Sequence, residues 1–230
     1  MNALPPARLL LALAYPWLAH AASARHDGGL AAIALGDIAL ILLLEPLAHR
    51  RAWAWLLALV LAVALYFFAR SPHALLPLML VPVAIVALVA WTFGRTLRLG
   101  RVPLITRIVC AMDQLTPETL APELRVYTRK LTATWAISLG ALALADLLLA
   151  MCAVPDGLLA SVGIAPPVTL DRTQWSWFAN GVNYGLIGAL FVGEYAYRVR
   201  RFPGRYTSIF DFLRRMAALG PAFWRDALRG

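Results

Sequence analysis

Charge is what this sequence has least of. Asp, Glu, Lys and Arg together make up 14% of its 230 residues, against about 25% in soluble globular domains. A chain so short of charge cannot cover a water-facing surface of its own, which excludes an ordinary soluble domain and leaves much of the covering to lipid. Cysteine is nearly absent. Cys110 and Cys152 are the only two, too few for a disulfide framework. There is no CxxC pair and no Cys/His spacing suited to a metal, so no metal site is expected. Catalytic signatures are missing as well. The chain has no HxxxxD acyltransferase box, GxSxG elbow, HExxH helix, P-loop or dinucleotide-binding fingerprint, which leaves hydrolytic and redox enzymes without sequence support. His20, His26, His49 and His73 fall at or beyond the ends of apolar runs, where they cannot face one another across a bundle as haem ligands. No cofactor is expected.

What the chain has instead is apolar length. Hydrophobic residues make up 61% of it, and the mean hydropathy is +0.71. Crossing the hydrocarbon takes about 20 mainly apolar residues in a helix. Six segments reach or approach that length: 7–22, 28–47, 52–69, 73–93, 131–154 and 175–197. The expected fold is therefore all-α, a polytopic transmembrane helical bundle of six spans. It forms one integral membrane domain over 1–230, with both termini cytoplasmic. The first segment is the soft point, being short and interrupted by Pro16. It can tilt, start nearer Leu4, or lie on the surface as an amphipathic helix, which leaves five spans. A signal peptide is the other reading, with Arg8, an apolar stretch and small residues at 22–24. Pro16 and Trp17, late in the run, and the spans that follow favour an uncleaved first span.

The formal charge of +9 and the pI near 10.4 would suggest nucleic acid in a soluble protein. Here the basic residues cluster in short segments between apolar runs, as membrane topology requires, and no nucleic-acid partner is expected. With the N-terminus inside, cytoplasmic segments hold Arg8, then Arg50 and Arg51, then the basic residues of the loop 94–130 and of the tail 198–230. Only Arg25, Arg70 and Arg172, three of the 21 Lys and Arg residues, fall outside. A five-span form with the first segment on the outer surface moves only Arg8. Tryptophans agree with the boundaries: Trp53, Trp55, Trp91 and Trp135 fall at cytoplasmic ends, and Trp175 and Trp177 mark an outer end.

The loop 94–130 should contain a short helix around 104–115, with Ile105, Ile108, Val109 and Met112 on one side. A second helix should begin near Thr116 or Thr119 and run into the fifth span, with Pro117 and Pro122 early in it. The outer loop 155–174 should be irregular or partly interfacial. The tail segment 207–219 places Phe210, Leu213 and Ala217 beside Arg214 and Arg215. It reads equally as a basic interfacial helix on anionic headgroups or as a tail packed on the protein's own loop.

Polar residues inside the spans call for an explanation, because an acid at mid-membrane costs about 2.5–3.5 kcal/mol on insertion scales. Asp37 lies near the centre of the second span, Asp146 in the outer half of the fifth, and Asn180 and Asn183 in the outer half of the sixth. Glu194 and Glu45 lie near cytoplasmic ends. Asn180, Asn183, Tyr184, Ile187, Phe191 and Glu194 share one helical face, beside a small-residue stripe of Gly181, Gly185 and Gly188 where another helix can approach. One reading is a polar cavity lined by Asp37, Asp146, Asn180 and Asn183, fit for a headgroup, a proton or a small polar substrate. The other is a set of groups that bond one another and fix the helix arrangement. Glu194 has Arg198 four residues on as a partner at the interface, and Glu45 can likewise meet Arg50 or Arg51. In the basic loop, Arg107, Arg125, Arg129 and Lys130 could receive a phosphate, an anionic lipid or an acidic carrier protein, or serve as topology charge alone.

Several local strings carry a family resemblance: AYPWLAH at 14–20, FGRTLRLGRVPLITR at 93–107, YTRKLTATW at 127–135, WSWFANGVNY at 175–184 and LFVGEYAYRVRRFP at 190–203. Together they resemble the small multi-pass inner-membrane proteins encoded in bacterial aryl polyene and xanthomonadin pigment gene clusters, most densely from Phe93 to Asp211. The resemblance brings no catalytic residues with it. It implies a bacterial cytoplasmic (inner) membrane and work beside acyl carrier proteins and other pigment-biosynthesis enzymes, with membrane lipids as further partners. The function it suggests is an accessory or scaffold protein for an aryl-polyene-type lipid pigment. The alternatives are a small transporter or flippase for a lipid-linked product, and a membrane enzyme acting on an acyl or aryl group. The oligomeric state stays open.

Overall fold

A computed structural model describes residues 4–71, 73–155, 157–171, 174, 178, 182–201, 214–216, 218–220, 223, 224 and 226. Its elements are helices: α1 (Leu4–Arg25), α2 (Gly28–Ala48), α3 (Ala52–Phe68), α4 (Leu76–Arg95), α5 (Leu104–Asp113), α6 (Pro122–Cys152), α7 (Leu158–Ser161) and α8 (Asn183–Arg201). No strand occurs among the described residues, and one isolated parallel bridge joins Ala153 to Leu170. The all-helical class expected from the sequence is what forms. Among the described residues α2, α4 and α6 are long and apolar enough to cross a membrane, and α3 is apolar but only 17 residues long. The chain is thus a helical membrane protein.

It divides into two compact units, Met1–Pro82 with Leu149–Arg172, and Val83–Leu148 with Thr173–Gly230. In the first unit, α1 runs through Pro16 without a break. Asp27 then caps α2, its carboxylate accepting from the Gly29 and Leu30 amides at 2.7 and 3.2 Å. That satisfies two of the amides a helix start leaves without partners. The two helices pack through Ala22, Ala31 and Ala34, all fully buried, with Leu78 beside them. Small side chains at this seam let the backbones approach closely, the device membrane helices use in place of a hydrophobic driving force. Gly28 has a sharper requirement: a Cβ there would lie 2.3 Å from the Ala69 carbonyl oxygen. Where the hairpin opens, Arg8 reaches Glu45 at 3.1 Å. This corrects the expected pairing of Glu45 with Arg50 or Arg51. Arg50 sits in a left-handed turn (φ 52°) that redirects the chain after α2, whereas antiparallel packing brings Arg8 alongside. Residues 155 and 157–171 are mostly irregular apart from the four residues of α7.

In the second unit α5 lies almost wholly buried, through Leu104, Ile105, Thr106, Ile108, Val109 and Cys110. Gln114, in the left-handed conformation (φ 54°), ends it close to the expected boundary. Pro122 opens α6, a position where the missing amide costs nothing, and Glu123 in the first turn complements the helix dipole. The 31 residues of α6 reach about 46 Å at about 1.5 Å per residue, more than the hydrocarbon layer of about 30 Å. Glu123, Arg125, Arg129 and Lys130 all occupy its first turns, so that end stands clear of the apolar layer. Phe93 of α4 stacks on Trp135 of α6, centroids 6.1 Å apart. Leu219, Phe223 and Trp224 lie against Leu104 and Ile108. These tail residues therefore pack on the protein's own loop helix. Positions 207–213 and 217 lie outside the described residues.

Candidate functional site

Three sets of buried polar groups stand out among the described residues. The first joins α6 and α8. Asn183 donates from Nδ2 to Asp146 Oδ2 at 2.7 Å, and both residues are buried. Asp146 Oδ1 and Asn183 Oδ1 are buried too and accept no hydrogen bond among the described residues. Two acceptor oxygens with no donor among the described residues form a polar spot that a hydrogen-bond donor would stabilise. Asp37 belongs to the other unit, on α2, where it is buried with Oδ2 likewise unbonded among the described residues. Of the four groups expected to line one cavity, Asp146 and Asn183 meet. Asn180 lies outside the described residues.

The second set lies further along the same α6–α8 contact. Glu194 Oε1 accepts from Arg198 Nε at 2.6 Å and from the Tyr127 hydroxyl at 2.9 Å, and Arg198 Nη2 reaches the same oxygen. Tyr197 stacks on Tyr127 with centroids 5.7 Å apart. Burial and the Glu194 carboxylate push the Tyr127 phenol well above its ordinary range, so it stays protonated as a donor. The expected Glu194–Arg198 pair forms, but it is not a solvated surface pair. Its side chains are 10% and 9% exposed. The spacing of α8 also corrects the expected glycine stripe. At about 100° per residue, Gly188 and Gly185 lie about 140° and 200° round from Asn183. A Cβ on either would meet no atom within 4 Å among the described residues. The Asn183–Glu194–Arg198 edge faces α6, so Gly185 and Gly188 face away from it; Gly181 lies outside the described residues.

The third set was not singled out by sequence reasoning. Thr96, Thr106, Thr128 and Thr132 are completely or almost completely buried. Thr96 Oγ1 accepts from the Leu104 amide at 3.0 Å, and Thr132 Oγ1 from the Ile105 amide at 3.3 Å. Thr106 and Thr128 share a hydroxyl hydrogen bond of 2.8 Å. The first residue before α5 is Pro103, which supplies no capping side chain. Threonines from α6 and the end of α4 cap α5 instead. The available signal was the i, i+4 pair Thr128 and Thr132 facing one side of a helix.

The basic residues of the loop are spread around this clasp. Arg125 donates to the Glu118 carbonyl at 3.0 Å and Arg129 to the Leu97 carbonyl at 3.0 Å. Both therefore fasten backbone while leaving exposed guanidinium edges. Lys130 is exposed and Arg107 half-buried. Arg201 at the end of α8 reaches Glu123 at 3.2 Å across an exposed surface.

No family model, curated protein or solved structure matches this chain.

Proposed function

We propose that the chain is a six-span protein of a bacterial inner membrane, with both termini in the cytoplasm. In this reading it serves as a non-catalytic accessory or scaffold in the assembly of an aryl-polyene-type lipid pigment. One observation carries it: α5 is clamped by the threonine clasp and covered by Leu219, Phe223 and Trp224, beside Arg125, Arg129 and Lys130. Ordering a buried helix and a tail outside the hydrocarbon is costly in conformational entropy. A rigid basic platform is what an acidic carrier protein or another acidic biosynthetic enzyme would dock on.

Three of the five strings that carry the family resemblance hold residues of these buried polar sets. FGRTLRLGRVPLITR contains Thr96 and Thr106, YTRKLTATW contains Tyr127, Thr128 and Thr132, and LFVGEYAYRVRRFP contains Glu194 and Arg198. The six-span topology is supported by the distribution of arginine and by the 22-residue length of α1, about 33 Å. The test has two arms. A deletion strain should accumulate incomplete pigment intermediates in the inner membrane, and the solubilised protein should retain a carrier protein or cluster enzyme in pull-downs. An unchanged metabolite profile together with no reproducible partner would overturn the reading.

A second reading, a small transporter or flippase for a lipid-linked product, is favoured by the buried oxygens of Asp37, Asp146 and Asn183 that have no hydrogen bond among the described residues. Under that reading Asp37→Asn and Asp146→Asn leave synthesis intact and stop the product reaching the outer membrane. Normal delivery by the stably expressed double variant would rule it out.

A further inference from the structure

Past the end of α4 the chain makes a compact projection. The Arg101 amide donates to the Arg98 carbonyl at 3.2 Å, closing a turn around Leu99 and Gly100. Gly100 takes φ 79°, the value the third residue of such a turn needs and a side chain resists. The projection is held from behind, because Arg129 of α6 donates to the Leu97 carbonyl at 3.0 Å. It also folds back along α4: the Arg98 guanidinium sits over the Trp91 ring, 5.1 Å from its centroid. Trp91 lies one turn before the end of the helix. The projection therefore stands level with the last turn of a helix that is long and apolar enough to span.

At its tip Leu99 is 99% exposed, and Trp91, under the Arg98 guanidinium, is 56% exposed. Arg98 and Arg101 flank them, both exposed. The stretch 91–112 holds Arg95, Arg98, Arg101 and Arg107 and no acidic residue. A fastened turn that presents a bare leucine between two arginines suits neither water nor hydrocarbon alone. It suits the boundary between them, where the leucine and indole meet acyl chains and the guanidinium groups meet phosphate oxygens.

We propose that Trp91, Arg98, Leu99 and Arg101 form a binding site for an anionic phospholipid of the leaflet that surrounds the Arg95 end of α4. The lipid's phosphate lies between the two guanidinium groups and its glycerol region rests on Leu99 and the Trp91 ring. The site requires only that α4 ends at a membrane surface, so it stands or falls independently of any role in pigment assembly.

The test uses the full-length protein in bilayers of phosphatidylcholine mixed with phosphatidylglycerol, one or the other brominated near the headgroup end of its acyl chains. The fluorescence difference between the native protein and Trp91→Phe isolates Trp91. Brominated phosphatidylglycerol should quench it more strongly than brominated phosphatidylcholine at the same mole fraction. The local enrichment should fall about fivefold with Arg101→Gln, the amount expected for one basic side chain at an anionic surface. It should disappear with Arg98→Gln and Arg101→Gln together. Arg70→Gln, which removes an arginine stacked on Tyr66 at 3.8 Å, should leave it unchanged. Equal quenching of the native protein by the two lipids overturns the proposal, and that comparison needs no substitution at the arginines. So does a lipid preference that survives the double variant. Iodide in the aqueous phase quenching Trp91 equally with and without phosphatidylglycerol would also overturn it, and would mark the tip as a protein-docking edge.

Discussion

Removing the Glu194 side chain should destabilise the protein far more than its i, i+4 spacing from Arg198 suggests. An exposed helical pair of this kind is worth about 0.3–0.5 kcal/mol. Here three donor groups, Arg198 Nε, Arg198 Nη2 and the Tyr127 hydroxyl, converge on one carboxylate oxygen in a contact where the charged side chains are 9–10% exposed. Glu194→Ala takes the carboxylate away from a buried guanidinium and a part-buried phenol, and breaking a buried pair from one side costs about 3–5 kcal/mol. Glu194→Gln keeps an acceptor oxygen for Tyr127 and loses the charge, so it should fall between. Glu194→Ala with Arg198→Met should recover much of the loss, because the guanidinium that lost its carboxylate goes with it. The assay is equilibrium unfolding in mixed micelles of increasing dodecyl sulfate, followed by far-ultraviolet circular dichroism. A Glu194→Ala protein within about 0.5 kcal/mol of the native one would show that the pair is solvated and that the burial argument is wrong.

Further perturbations separate the other contacts. Thr132→Val removes the acceptor of the buried Ile105 amide and should cost about 1–3 kcal/mol. Thr134→Val, whose hydroxyl bonds only its own helix at Lys130 on an exposed face, should be close to neutral by the same unfolding measurement. Gly28→Ala forces a methyl group against the Ala69 carbonyl and should cost about 1–3 kcal/mol through strain, whereas Gly188→Ala, in open space, should not lower the unfolding midpoint. Asn183→Leu leaves the buried Asp146 carboxyl without its amide donor and should lower the midpoint more than Asp146→Asn, which keeps a hydrogen-bonding amide in place; the reverse order would mean that the contact is not formed. A topology reporter fused at Asn2 should read as cytoplasmic, and an external signal there would remove the six-span form.

Helix class and most helix positions were legible in the linear pattern, because apolar runs of membrane length do not depend on partners to declare themselves. The start of α2 and the end of α5 came close to the structure from apolar length and periodicity alone; the Asp27 cap and the left-handed Gln114 that fix them were not read from the sequence. The Glu194–Arg198 pair was readable from its spacing, but not its burial, which depends on Tyr127, 67 positions away. The Asp146–Asn183 contact joins residues 37 apart, and periodicity gives each residue's face without saying which face meets which. The glycines show the same limit. Small residues on α8 suggested a helix contact, and a different edge of α8 makes it.

The sequence by itself determined that this is a helical membrane protein, through its scarcity of charge and the lengths of its apolar runs. Its arginine distribution, by the same local logic, points to which ends of those runs face the cytoplasm. Only the tertiary structure decided that Arg8 and not Arg50 or Arg51 answers Glu45, that Thr96 and Thr132 cap α5 while Thr128 holds it through Thr106, and that Arg98 folds back over Trp91. The physical reason is reach. Transfer into lipid is a property of each segment alone, whereas a hydrogen bond at 3 Å depends on where two distant segments come to lie.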